Sequence, residues 1–131
     1  MVNEINVDFG NGTQLSAQTG NFTIETDQPF NEGGHGSAPT PQDLFLASLA
    51  TCAGHYARSF CESKNISMDG MTLKIEYKMA PDGKLINKFS YQLKLPDGFP
   101  EKYKAALLRA VDLCTIKKQL MSPPAFELEL V

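Results

Sequence analysis

Residues 33–57 read GGHGSAPTPQDLFLASLATCAGHYA, and the fold turns on how this stretch is parsed. Its second half carries explicit helix-start signals. Thr40 suits the N-cap and Pro41 the first helical position, and Asp43 stands three residues after the cap, where a capping-box acid belongs. The spacing predicts a helix over residues 40–64, whose body DLFLASLATCAGHYARSFCE is apolar on most of its circumference. Such a helix needs cover on every side, and a chain of 131 residues has little with which to supply it. Burial against a second copy is the natural solution, so a homodimer is expected.

Working outward, residues 27–39 (DQPFNEGGHGSAP) show no periodicity and are rich in proline and glycine, which predicts a loop. A loop this long in a small domain is more often functional than idle. Before it, Ile5, Val7 and Phe9 alternate with polar residues, Gly10-Asn11-Gly12 supplies a turn, and Leu15, Ala17, Phe22 and Ile24 continue the alternation. This predicts a three-stranded meander. Beyond the helix, Met71, Leu73, Ile75, Tyr77 and Met79 alternate with polar residues, Pro81-Asp82-Gly83 turns the chain, and Phe89, Tyr91, Leu93 and Leu95 alternate on the return. Pro100 opens a second helix with Tyr103, Leu107, Ala110 and Cys114 on its inner face. Phe126, Leu128 and Leu130 form a last alternating run. The expected order is β-β-β-α-β-β-α-β, a two-layer α+β fold in a single domain over residues 1–131.

Composition narrows the class. Apolar residues make up 42% and charged residues 21%, ordinary globular usage. The net charge of −3 argues against a broad cationic face for nucleic acid or anionic lipid. No apolar run approaches the roughly 20 residues that cross a bilayer, and MVNEINVDFG lacks the basic start and apolar core of a secretory signal. A cytoplasmic protein with neither nucleic-acid nor membrane partner is expected. Three Asn-X-Ser/Thr matches (Asn11, Asn21, Asn65) carry no weight in that setting. Gly33-Gly34-His35-Gly36 lacks the lysine of a phosphate loop.

Three cysteines, an odd number without a CxxC pair, describe neither a disulfide scaffold nor a zinc site, and no metal is expected. Cys52 lies about three turns into the first helix, too far in for the helix dipole to activate it, so any lowered pKa must come from a neighbour. His55, three residues on and on the same face, is either that neighbour or a polar surface residue. Cys114 falls where the second helix ends or breaks. It is either a core position continuing the Tyr103/Leu107/Ala110 stripe or a reactive thiol close to Lys117, Lys118 and the N–H groups of a new turn. Cys61, nine residues beyond Cys52, faces the opposite side of the helix and reads as packing.

The run GGHGSAPTPQDLFLASLATCAGHYA, followed by a second cysteine in VDLCTIKKQL, resembles the OsmC/Ohr family of organic hydroperoxide resistance and osmotically induced proteins. The resemblance implies an intertwined homodimer with paired central helices. It also implies a stress-response oxidoreductase: a thiol-dependent peroxidase in which Cys52 attacks the peroxide and becomes a sulfenic acid. Cys114 then resolves it to a disulfide, and an external dithiol reductant reopens the bond, with no resident cofactor. Two departures stand out. The family's glutamate ten residues before the first cysteine is Gln42 here, and its N-terminal arginine has no counterpart, because the chain's arginines are Arg58 and Arg109. Gln42 supplies hydrogen bonds without charge, which leaves His35 and His55 as the electrostatic substitutes. The competing reading is a catalytically weak OsmC-like protein that binds a small hydrophobic or electrophilic ligand at the dimer interface.

Overall fold

The computed structural model describes residues 3–131; Met1 and Val2, the start of the segment read for a secretory signal, lie outside the described residues. The described residues form two compact units, one up to Ala47 and one from Ser48 to Val131. In the first, β1 (Asn6–Phe9), β2 (Leu15–Thr19) and β3 (Phe22–Thr26) make the expected antiparallel meander, with Val7 opposite Ala17 and Ala17 opposite Ile24. The β2–β3 turn has two central residues, and Gly20 takes the positive φ of 57° that a tight hairpin asks of its first. Ile5, Val7 and Phe9, which alternate with polar residues up to and through this first strand, all stay exposed. A strand's period states which residues share a face and not what covers it.

The long central helix α1 (Pro41–Ser63) begins on its predicted signals. Thr40 and Asp43 form a reciprocal capping box: the Thr40 N–H donates to Asp43 Oδ2 at 3.0 Å, and the Asp43 N–H donates to Thr40 Oγ1 at 3.1 Å. At the other end the chain leaves in a Schellman motif. Asn65 takes a left-handed φ of 57°, the Ile66 N–H bonds the Cys61 carbonyl at 2.9 Å, and the Asn65 N–H bonds that of Glu62 at 3.2 Å.

In the second unit, β4 (Thr72–Met79) pairs antiparallel with β5 (Ile86–Lys94), with Ile75 opposite Tyr91 and a bulge at Lys78/Met79. The Pro81-Asp82-Gly83 turn forms as expected, with the Lys84 N–H on Asp82 Oδ1. Ala53, Ala57 and Cys61 recur every fourth residue along one stripe of α1 and join Phe99, Leu107 and Val111 in the core, backed by Leu73 and Leu93. Small residues on that stripe let the helix lie close against its neighbours. Cys61 is fully buried here, as packing.

The second predicted helix is divided. A 3₁₀ turn at Glu101–Tyr103 leads into α2 (Lys104–Asp112), the chain breaks at Leu113-Cys114, and α3 (Thr115–Met121) follows. Residues 122–131 form no strand, and Phe126, Leu128 and Leu130 are fully or almost fully exposed. The expected last strand therefore corrects to an extended tail within one chain: its alternation is real, but a strand needs a neighbour's hydrogen bonds to form. Among the described residues no helix is long and apolar enough to cross a membrane.

Candidate active site

Cys52 and Cys114 meet. α1 carries Cys52 near its middle, and the α2–α3 break delivers Cys114 to it as the residue capping α3, with a non-helical φ/ψ of −45°/122°. The break arises because Leu113 and Cys114 close α2 with N–H bonds to the Ala110 and Val111 carbonyls, after which Cys114 turns out of the helix and restarts it. That restart points N–H groups at sulfur.

The two thiols are unequal. Burial pushes Cys52 up, but the Ile116 N–H, the Cys114 thiol and the Thr115 N–H together outweigh it and hold Cys52 below its ordinary value. Cys114 is fully buried, and burial pushes its thiol up; the Lys117 and Ile116 N–H groups offset this only in part, and Cys52 raises it further. Of the two, Cys52 is therefore the more readily ionised, with Cys114 the donor to its sulfur. Cys52 keeps partial access to solvent. An accessible thiol of lowered pKa beside a second thiol is an arrangement that can accept an electrophile at one sulfur and close a disulfide with the other.

Tyr91 on β5 stands close enough for both sulfurs to act on it: burial raises its phenol, and negative charge on Cys114 and Cys52 raises it further. Its ring lines a hollow of about 430 Å³ with Leu108, Arg109, Val111 and the Asp112–Lys117 ion pair. A second hollow of about 390 Å³ holds His55 and Arg58 beside Met68, Met71 and Leu73. His55 is exposed and meets Tyr56 edge-to-face at 5.6 Å. The donors on Cys52 come instead from α3, so the neighbour sought in sequence lies about sixty residues away rather than three.

The other predicted residues belong to the N-terminal unit. Gln42 is exposed on the first turn of α1. His35 sits in the glycine loop, its ring 6.0 Å from Phe30 and its N–H donated to Asp27 Oδ2 at 3.2 Å. Asp27 organises this loop and was not singled out in the sequence. It is fully buried, and it accepts hydrogen bonds from Thr13 Oγ1 at 2.5 Å, Ser37 Oγ at 2.7 Å and the N–H groups of Gln28, His35 and Ser37. Those donors, the Thr13 hydroxyl first, hold its carboxyl far below the usual carboxylate range against the cost of burial. Gly34 completes the loop: a Cβ there would lie 1.9 Å from the Gln28 carbonyl oxygen.

Comparison with known proteins gives the same frame. The fold resembles that of an osmotic stress induced and detoxification response protein from Psychrobacter arcticus 273-4, with a TM-score of 0.73 and 23% identity over 91% of this chain and 88% of that one. An OsmC-like protein from Mycoplasma pneumoniae gives a TM-score of 0.70 at 16% identity, over 92% and 88% of the two chains. An organic hydroperoxide resistance protein from Legionella pneumophila gives 0.57 at 18% identity, over 92% and 89%. Among curated proteins none matches the chain. The family described as OsmC-like protein matches residues 34–129, from the glycine loop through both cysteines to the tail. With α1, Cys52, Cys114 and the β4–β5 pair all inside that match, this chain belongs to the OsmC-like family.

Proposed function

We propose that this chain is a thiol-dependent peroxidase for organic hydroperoxides, working as a single OsmC-like domain in a cytoplasmic homodimer. The observation that carries the reading is the unequal pair: an accessible Cys52 held below its ordinary value, in hydrogen-bond contact with a buried Cys114 held above it. The family's peroxide-resistance members support it.

The chemistry follows from that asymmetry. The Cys52 thiolate attacks the distal peroxide oxygen, an S–O bond forms as the O–O bond breaks, and the alkoxide takes a proton to leave as alcohol. Cys52 is now a sulfenic acid. The Cys114 sulfur then attacks the Cys52 sulfur, the S–O bond breaks, and the hydroxyl leaves as water with the Cys114 proton. An external dithiol returns two electrons and two protons to reset the pair.

One sequence feature favours the competing reading of a weakly catalytic ligand binder: residues 1–47 contain neither lysine nor arginine, so no cation reaches the thiolate from the N-terminal strands. Intact-mass analysis after one equivalent of cumene hydroperoxide separates the two. A prompt loss of two hydrogens in the wild type, absent in each single cysteine variant, supports the peroxidase. An unchanged mass refutes it and leaves the ligand binder.

A further inference from the structure

Tyr56 lies one helical turn beyond Cys52 on the same face of α1, and its hydroxyl shares a 2.7 Å hydrogen bond with Thr115 Oγ1. Thr115 also gives its backbone N–H to the Cys52 sulfur. α1 therefore grips residue 115 at two points about 6 Å apart along the helix axis: the backbone by Cys52, the side chain by Tyr56. Beyond the buried Cys114, whose sulfur accepts the Ile116 and Lys117 N–H groups, little secures this turn. α3 has seven residues, none of them buried, and a helix that short does not persist on its own propensity. The Asp112–Lys117 ion pair that spans the junction is solvent-exposed, and such pairs contribute little.

We propose that Tyr56 is a positioning residue for Cys52: through Thr115 Oγ1 it fixes the first turn of α3, so that the Thr115 and Ile116 N–H groups stay on the Cys52 sulfur and Cys114 stays within reach. Tyr56 itself touches no reacting atom. The latch rests on the peroxidase reading for its purpose, while its geometry stands apart from it.

The test follows the pH dependence of Cys52 alkylation by iodoacetamide in the reduced full-length chain, read by mass at the Cys52 peptide, with cumene hydroperoxide consumption measured alongside. In Tyr56→Phe the midpoint moves up, and alkylation at a fixed pH below it slows about three- to tenfold, the size expected for one lost positioning hydrogen bond. Thr115→Val behaves alike, and the double variant is no worse than either single one, because the two groups share one bond. Thr115→Ser keeps the hydroxyl and the wild-type midpoint. An unchanged midpoint in Tyr56→Phe, additive losses in the double variant, or a Thr115→Ser midpoint as displaced as that of Thr115→Val overturns the latch. Alkylation needs no peroxide, so the two failures separate. A wild type with a Tyr56-dependent midpoint that consumes no peroxide loses the peroxidase function and keeps the latch. One that consumes peroxide with a Tyr56-independent midpoint loses the latch alone.

Discussion

Cys114 directs its thiol proton at the sulfur of Cys52, and this one contact makes two chemically identical side chains different. Cys52 gains donors and keeps solvent access; Cys114 loses water and keeps its proton. In the proposed peroxidase, that placement would divide attack from resolution.

Replacement of each cysteine should therefore give a different defect. Cys52→Ser abolishes peroxide consumption. Cys114→Ser retains a first turnover, after which Cys52 has no thiol to condense with and runs on to sulfinic and sulfonic acids. Coupled peroxide assays and intact masses after stepwise peroxide addition check both outcomes, and undiminished consumption in Cys52→Ser would sink the assignment.

The pH dependence has a definite sign. Because the folded Cys52 thiol lies below its unfolded value, it contributes stability that is present above the unfolded value and lost as pH falls through the folded one. Its alkylation midpoint accordingly lies below that of a free cysteine. Cys114→Ala removes one donor and leaves the Ile116 and Thr115 N–H groups in place, so the midpoint rises without reaching the free value.

Asp27 makes the glycine loop acid-sensitive. Its folded carboxyl titrates below the unfolded value, so its contribution is full above the ordinary carboxylate range and disappears as pH falls beneath it. The protection factors of the His35 and Ser37 amides, intrinsic over observed exchange rate at each pH, should be high at neutral pH and fall toward strong acid. In Asp27→Asn the same amides exchange fast at neutral pH already, since the amide replacement cannot accept all five donors.

Two backbone positions around that loop separate by magnitude. Gly34→Ala forces a methyl against the Gln28 backbone and should cost more than about 2 kcal/mol. Thr40→Ala removes one half of the capping box and costs about 1 kcal/mol. Urea unfolding of the three proteins gives the order directly.

The uncovered apolar side chains predict assembly. Phe9, Phe22, Phe126, Leu128 and Leu130 are all far more exposed than apolar residues of a self-sufficient chain. Light scattering should report a dimer, and Leu128→Asp with Leu130→Asp should weaken it. A wild-type monomer at micromolar concentration contradicts the expectation.

Local chemistry was the legible part of this protein. The capping box at Thr40 and Asp43, the Pro81-Asp82-Gly83 turn and the break at Cys114 each depend on residues a few positions apart, and all three stand where the sequence places them. The thiol pair was legible through the family pattern, whereas its activation was not. The nearest candidate, His55, is a neighbour in sequence, but the donors on Cys52 arrive from Thr115 and Ile116 on a different helix. Asp27 escaped for the same reason: its hydroxyl partners Thr13 and Ser37 lie on either side of it, fourteen and ten residues off. The last strand was misplaced in kind, because alternation in Phe126, Leu128 and Leu130 names a face and cannot provide the edge that pairs with it.

Cys114 sits between two helices rather than inside either. A cysteine in mid-helix has its backbone held by the ladder on both sides, so its sulfur moves by side-chain rotation alone. Here α2 closes on the Leu113 and Cys114 N–H groups and α3 opens on the Cys114 carbonyl, which accepts from Lys118. The sulfur can travel to bonding distance by rotation of a few torsions at a hinge already bent. An oxidation and reduction cycle run through this pair is then a swivel, and the scaffold that enters each round is the one that left the last.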